Sequence, residues 1–136
     1  MPRISGVNLL GVLLAGLAMW MIGYVWYGLV FGEAWMAGSG WTKEMFEGQS
    51  PVWMAGGLVL SLVLAFGLGW HMKQKSITKT KTALLFGLWL SLLIGVPLMA
   101  YGYVYSPGHS LELFGINAAH TVVTFVAACA VLSFFD

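Results

Sequence analysis

The chain has 136 residues, of which 60% are hydrophobic and 8% are Asp, Glu, Lys or Arg. Soluble domains carry about 25% charged residues, so this chain has too little polar surface to coat a water-soluble globule. A net charge of +1, without a basic stretch studded with aromatic residues, excludes nucleic acid as a partner. The single cysteine, Cys129, excludes an intramolecular disulfide and a cysteine-based metal site.

Four long apolar runs follow one another along the chain, over residues 8–31, 52–71, 82–104 and 111–135. Each is close to or longer than the roughly 20 residues that a helix needs to cross a bilayer. The runs lack the alternation of apolar and polar residues that marks a membrane β-strand, and a helix satisfies its backbone amides within itself. We therefore predict an all-α polytopic membrane protein, with four transmembrane helices in an up-down bundle that forms one domain over residues 1–136.

The first run could be mistaken for a secretory signal, because Arg3 precedes it. Such signals have an apolar region of about 7 to 15 residues, and this run is longer and rich in Trp and Tyr. We therefore predict that it is an uncleaved first span.

The charges between the runs predict the orientation in the membrane. Residues 72–81 carry four lysines and no acid. The loop over residues 32–51 is acidic, with three glutamates and one lysine: Glu33, Glu44, Glu47 and Lys43. Because cytoplasmic loops are enriched in Lys and Arg, we predict that residues 72–81, Arg3 and both chain termini are cytoplasmic.

The loop over residues 32–51 is the only sizeable part expected outside the membrane. Its glycines and Pro51 indicate turns rather than a folded domain. Thr42 is of a type that caps helices, so we predict one short helix over Lys43–Glu47, lying at the membrane interface.

Small residues spaced four apart occur in the second and third runs. They are Gly57, Ser61, Ala65 and Gly69 in the second run, and Gly87, Ser91 and Gly95 in the third. Such spacing lets membrane helices approach closely. The two small faces could pack against each other within one chain, or one could face a second copy, and the sequence leaves both arrangements open.

Polar and aromatic residues share one depth of the predicted bundle. Asn117 and His120 lie at helical spacing in the fourth run, about 9 and 14 Å below its outer boundary at 1.5 Å per residue. The first and third runs bring aromatic residues to the same depth, beside a kink predicted at Pro97. We predict a cluster built from the first, third and fourth helices, with these candidate ligand-binding residues: Trp20, Tyr24, Tyr27, Tyr101, Asn117 and His120.

Three interpretations of this cluster are open. Asn117 and His120 could be structural, with hydrogen bonds to Tyr24, Tyr27, Tyr101 or a carbonyl at the kink. They could instead line a pocket for a small apolar ligand that opens toward the outer leaflet. His120 could also associate with a pigment or haem, although no second histidine lies at a workable depth for axial ligation.

We predict no enzyme, no metal site and no cofactor. No Asp or Glu lies within a run, and no nucleophile lies beside an evident base, which disfavours hydrolytic chemistry. Ion-coupled transport usually uses an acid within the membrane, and the runs contain none.

Three stretches of the sequence resemble a known family. They are GYVWYGLVFGEAWM at residues 23–36, GWTKE at residues 40–44 and LELFGINAAHTV at residues 111–122. Over essentially its whole length, the chain is similar to four-span bacterial membrane proteins catalogued as domain of unknown function 1761. This resemblance implies a bacterial cytoplasmic (inner) membrane location and supports the four-span architecture. It implies no reaction, ligand or catalytic residue.

The partners expected from this composition are membrane lipids and other helices, because apolar helix faces point in all directions. The first hypothesis for the function is a non-catalytic accessory or structural subunit of a larger membrane protein complex, or a homo-oligomer. The second hypothesis is a carrier or sensor of a small apolar ligand, bound by the six candidate residues in the outer half of the bundle.

Overall fold

A computed structural model of the chain describes residues 2–48, 50–105 and 110–135, without the side chains of Phe46, Pro51, Trp53 and Met54. Four of its helices are long and apolar enough to cross a membrane: Leu9–Val30, Ala55–Gln74, Thr80–Val104 and Leu111–Ser133. They confirm the predicted all-α four-helix membrane bundle. The C-terminal residue Asp136, which we predict to be cytoplasmic, lies outside the described residues.

The chain begins with a two-stranded antiparallel hairpin that the sequence does not predict. β1 (Arg3–Ile4) pairs with β2 (Val7–Asn8). The turn between them has positive φ angles, 52° at Ser5 and 81° at Gly6, and glycine adopts the second without strain. Asn8 then caps the first helix, because its Oδ1 accepts hydrogen bonds from two amides of the first turn, at 3.0 and 3.3 Å.

Helix one consists of α1 (Leu9–Tyr24) and a first π-helical segment (Val25–Val30). This segment ends where the amide of Phe31 donates to the carbonyl of Trp26, five residues earlier, at 2.7 Å. Wide turns of this kind are rare and are frequent at functional sites. The segment contains Trp26 and Tyr27, so it controls the direction of two aromatic side chains at this end of the bundle.

Residues 32–51, predicted as a loop with one short helix, contain two helices. The predicted one is α3 (Lys43–Glu47), and Thr42 caps it by accepting an amide of the first turn at 3.2 Å. The sequence does not predict α2 (Gly32–Ser39), because its glycines indicate turns. The alanines and methionine between them favour a helix, which ends at Gly40 with a φ of 82°.

Helix two is α4 (Pro51–Gln74) and helix four, after the third span, is α7 (Leu111–Ser133). Each follows a serine whose hydroxyl accepts an amide of the first turn, at 3.3 Å for Ser50 and 3.1 Å for Ser110. Since both serines are in extended backbone, they act as ordinary N-caps.

Helix three has three parts: α5 (Thr80–Leu90), a second π segment (Ser91–Gly95) and α6 (Val96–Val104). The second π segment ends directly before Pro97 comes into the chain. Proline cannot donate an amide within a helix, and neighbouring backbone adjusts to it. The distortion predicted at this proline therefore takes the form of a wide turn.

The small faces of helices two and three do not pack against each other. A Cβ added at Gly57 would lie 3.6 Å from Nε1 of Trp20, on helix one. A Cβ added at Gly87 would lie 2.9 Å from the carbonyl oxygen of Phe125, on helix four. Helix two therefore packs on helix one and helix three on helix four, while helices one and four pack on each other.

The two ends of the bundle differ in charge among the described residues. The basic end comprises the hairpin and the connector between helices two and three, with Arg3, Lys73, Lys75, Lys79 and Lys81. The acidic end comprises α2, α3 and the start of helix four, with Glu33, Glu44, Glu47 and Glu112 beside one cation, Lys43.

Buried residues concentrate in the half of the bundle next to the basic end. The core cluster consists of Val7, Val12, Ala15, Met19, Ala65, Leu68, Met72, Ile77, Ala83, Ala128, Cys129 and Leu132. The first π segment, α2 and α6 lie in the other half, and none of their described residues is fully buried. The half next to the acidic end is therefore the more loosely packed one.

Candidate functional site

A cavity of about 540 Å³ lies in the loosely packed half, between helices one, two and four, with α2 at its side. It is open on one side rather than enclosed. Four aromatic residues line it: Trp20, Tyr24, Tyr27 and Trp35. The rest of the lining consists of Met19, Gly23, Gly28, Met36, Gly57, Ser61 and His120. No Asp, Glu, Lys or Arg lies in this lining, so its surface is apolar and aromatic with a few neutral polar groups.

Three glycines leave the space that the cavity occupies. A Cβ at Gly57 would lie 3.6 Å from Trp20, and one at Gly28 would lie 3.9 Å from the ring of Tyr24. A Cβ at Gly23 would lie 3.4 Å from Nε2 of His120. Larger residues at these positions would extend into the cavity, so its volume depends on the glycines.

Two hydrogen bonds join helix one to helix four beside the cavity. The hydroxyl of Tyr27 donates to Oδ1 of Asn117 at 2.7 Å, and Nε1 of Trp26 donates to the carbonyl of Ile116 at 3.1 Å. Both donors come from the first π segment. That segment therefore directs two adjacent side chains onto the same part of helix four.

His120 lies half-buried between aromatic rings. Its ring centre is 4.9 Å from that of Tyr27 and 6.2 Å from that of Trp26. Its Nε2 is buried and has no hydrogen-bond partner within the described part of the chain. Leaving such a group unpaired costs about 1–3 kcal/mol, and unpaired buried groups are rare outside functional sites.

The two threonines beside His120 bind only their own helix. Thr121 donates from its hydroxyl to the carbonyl of Asn117 at 3.0 Å, and Thr124 to the carbonyl of His120 at 2.9 Å. These bonds satisfy the hydroxyl groups within helix four. The polar contact with helix one is therefore made by Asn117.

Of the six residues predicted from the sequence, four line the cavity: Trp20, Tyr24, Tyr27 and His120. Asn117 lies directly behind this lining, bonded to Tyr27. Whether this group binds a ligand stays a prediction.

Tyr101 requires a correction. It is 65% exposed on α6 and stacks on Tyr105, with ring centres 6.4 Å apart and planes 10° apart. It does not line the cavity. Helix three packs on the other flank of helix four, so sharing a depth with the cluster did not bring Tyr101 into it. Helix two and α2 take the place that the sequence assigned to helix three.

Sequence reasoning missed the residues that helix two and α2 contribute, namely Gly57, Ser61, Trp35 and Met36. The small pair on helix two is a usable signal, because it places no bulk opposite Trp20. The contribution of α2 has no clear signal, since that segment reads as a loop. Trp35 meets the edge of Tyr27 at 5.8 Å and stacks on Trp41 at 6.3 Å.

The lining chemistry favours binding over reaction. Within the described residues, no group of three His, Cys, Asp or Glu could hold a metal ion. Ser61 supplies a hydroxyl to the lining, but Nε2 of His120 makes no hydrogen bond with it. The site can offer ring faces, thioethers and one imidazole to a bound molecule.

Comparison with known proteins gives one match. The family described as "Protein of unknown function (DUF1761)" matches residues 10–133, which include all four spans. No curated protein and no solved structure matches the chain.

Proposed function

Since the chain belongs to the DUF1761 family, whose function is unknown, we propose a function from its cavity: it binds a small, largely apolar molecule as a non-catalytic carrier or sensor. The observation that carries this proposal is an aromatic cavity of about 540 Å³ whose lining includes an imidazole with an unpaired buried nitrogen. Ligand sites are typically apolar clefts of about 300–1,000 Å³ with a few convergent polar groups.

The orientation proposed for the protein gives the cavity an access route. With the basic end in the cytoplasm, the acidic end and its cavity belong to the outer leaflet of a bacterial inner membrane. Apolar molecules concentrate in lipid, and the cavity is open on one side. A ligand would then enter from the outer leaflet without crossing the tightly packed half.

The role as an accessory subunit or homo-oligomer stays a prediction without support from the small-residue faces. Gly57 faces helix one and Gly87 faces helix four, so both faces are occupied within the chain. Apolar surface elsewhere on the bundle is explained by lipid contact alone.

The experiment compares two neighbouring glycines of helix two. Gly57→Leu places a branched side chain against Trp20 and fills the cavity, whereas a Cβ at Gly56 meets nothing within 4 Å. Each variant and the wild type are purified gently from native membranes, extracted with solvent and analysed by mass spectrometry. We expect a small molecule that is retained by the wild type and by Gly56→Leu and lost from Gly57→Leu. Equal retention by all three proteins, or no molecule above the level of mock-purified membranes, would overturn the proposal.

A further inference from the structure

We infer that the molecule bound in this cavity is a poorly hydrated organic cation, such as a quaternary ammonium with an apolar body. The inference rests on the function proposed above and specifies its ligand. Three features carry it: the aromatic faces of the lining, the absence of a cationic side chain there, and the charge of the end at which the cavity lies.

The lining presents two tryptophans and two tyrosines to one space: Trp20, Trp35, Tyr24 and Tyr27. The face of an aromatic ring carries negative potential, strongest for Trp, and attracts a cation within about 6 Å of its centre. Tyr27 and Trp35 meet at an interplanar angle of 61°, so these two rings border the space from different directions. Cages of this composition recognise quaternary ammonium groups in proteins.

No lysine or arginine lies in the lining to repel a cation. The cavity lies toward the acidic end, where four glutamates stand beside one lysine among the described residues. That lysine, Lys43, is 3.9 Å from Glu47 and is partly neutralised by it. The basic residues lie at the opposite end of the bundle. The field at the mouth therefore favours approach of a positive ligand and disfavours an anion.

The same lining selects among cations. It has no carboxylate to replace the water around a small inorganic ion or a strongly hydrated ammonium group. A quaternary ammonium has no N–H group to satisfy and gives up its weak hydration more readily. The thioethers of Met19 and Met36 add polarisable surface that suits a soft charge and an apolar body.

The test uses two probes of equal shape, benzyltrimethylammonium and its uncharged carbon analogue neopentylbenzene. Binding of each to the wild-type protein in lipid nanodiscs is measured by equilibrium dialysis and corrected with empty nanodiscs. We expect the cation to bind about tenfold more tightly than the uncharged probe, after correction for partition into lipid.

Variants then assign the effect to the rings. Trp20→Leu keeps apolar bulk but removes the ring, and we expect it to lower cation affinity about tenfold with a smaller change for the uncharged probe. Trp20→Phe should restore part of that difference. Trp89→Leu is the matched control, because Trp89 is 58% exposed on helix three and does not line the cavity. It should leave both affinities unchanged.

Two results would overturn the inference, and they bear differently on the proposed function. If both probes bind equally and Trp20→Leu weakens both to the same extent, the cavity binds apolar molecules but does not select a cation. If neither probe binds and Gly57→Leu retains the same extract as the wild type, both the inference and the proposed function fail.

Discussion

Glycines in the two halves of the bundle have opposite effects on packing. Next to the basic end, a Cβ at Gly69 would lie 3.0 Å from Val7, and a Cβ at Gly87 would lie 2.9 Å from the backbone of Phe125. Next to the acidic end, the nearest atoms to the Cβ positions of Gly23 and Gly57 are 3.4 and 3.6 Å away, and they line a cavity. The same residue type closes one half, because a neighbouring helix fills its space, and opens the other.

The two halves also differ in what joins their helices. The half next to the basic end has the core cluster. The half next to the acidic end joins helix one to helix four through hydrogen bonds from Trp26 and Tyr27. In lipid, where burial of apolar surface gives no drive between helices, both solutions are available. The second leaves room for a ligand, and the predictions below separate the two halves, from the largest effect to the smallest.

The largest effect concerns the two ends and is close to all or none. With the basic end in the cytoplasm, a membrane-impermeant maleimide added to intact cells should label Ala37→Cys on α2 and should not label Gln74→Cys, at the end of helix two. Both positions are exposed. The wild type is the control, because its Cys129 is fully buried. Labelling of Gln74→Cys on intact cells would reverse the orientation.

The next effect concerns the tight half. Gly87→Leu forces a side chain into the backbone of helix four, and we expect it to lower the free energy of unfolding by about 3 kcal/mol or to prevent folding. Reversible unfolding in mixed micelles measures this change. Gly115→Leu is the control, since a Cβ there meets nothing within 4 Å. If the two variants were equally stable, close packing of helix three on helix four would be wrong.

A moderate effect is expected at the hydrogen bond beside the cavity. Asn117→Leu removes the acceptor of the Tyr27 hydroxyl and should lower the free energy of unfolding by about 0.6 to 1.7 kcal/mol while membrane insertion stays intact. We also expect ligand retention to be lost, because Tyr27 lines the cavity. A double-mutant cycle with Tyr27→Phe isolates the pair. A coupling energy of zero would show that the bond does not contribute.

The smallest effect on stability is expected at His120. Because its Nε2 makes no hydrogen bond, His120→Leu should leave the free energy of unfolding unchanged or raise it by up to about 1 kcal/mol. Ligand retention should nevertheless fall. Thermal unfolding of ligand-free protein and mass spectrometry of solvent extracts measure the two quantities. A loss of stability larger than that of Asn117→Leu would indicate a structural role for the imidazole.

The sequence predicts the spans well because length and apolar character decide them in lipid. It also predicts the Thr42 cap of α3, which depends on local chemistry. It does not predict which face of each helix meets which neighbour. A soluble helix shows its buried face by a polar opposite face, whereas these helices are apolar all round. Tyr101 was assigned to the cluster and Gly57 was not for this reason: depth follows from residue number, but rotation and neighbour order do not.

The most direct test of the account is an experimental structure of the protein in a native lipid nanodisc, determined with a rigid binding protein attached. The account predicts density for a bound molecule between Trp20, Tyr24 and His120, with Tyr101 facing lipid. A closed bundle without this cavity, in which His120 forms a hydrogen bond to a neighbouring helix, would contradict it.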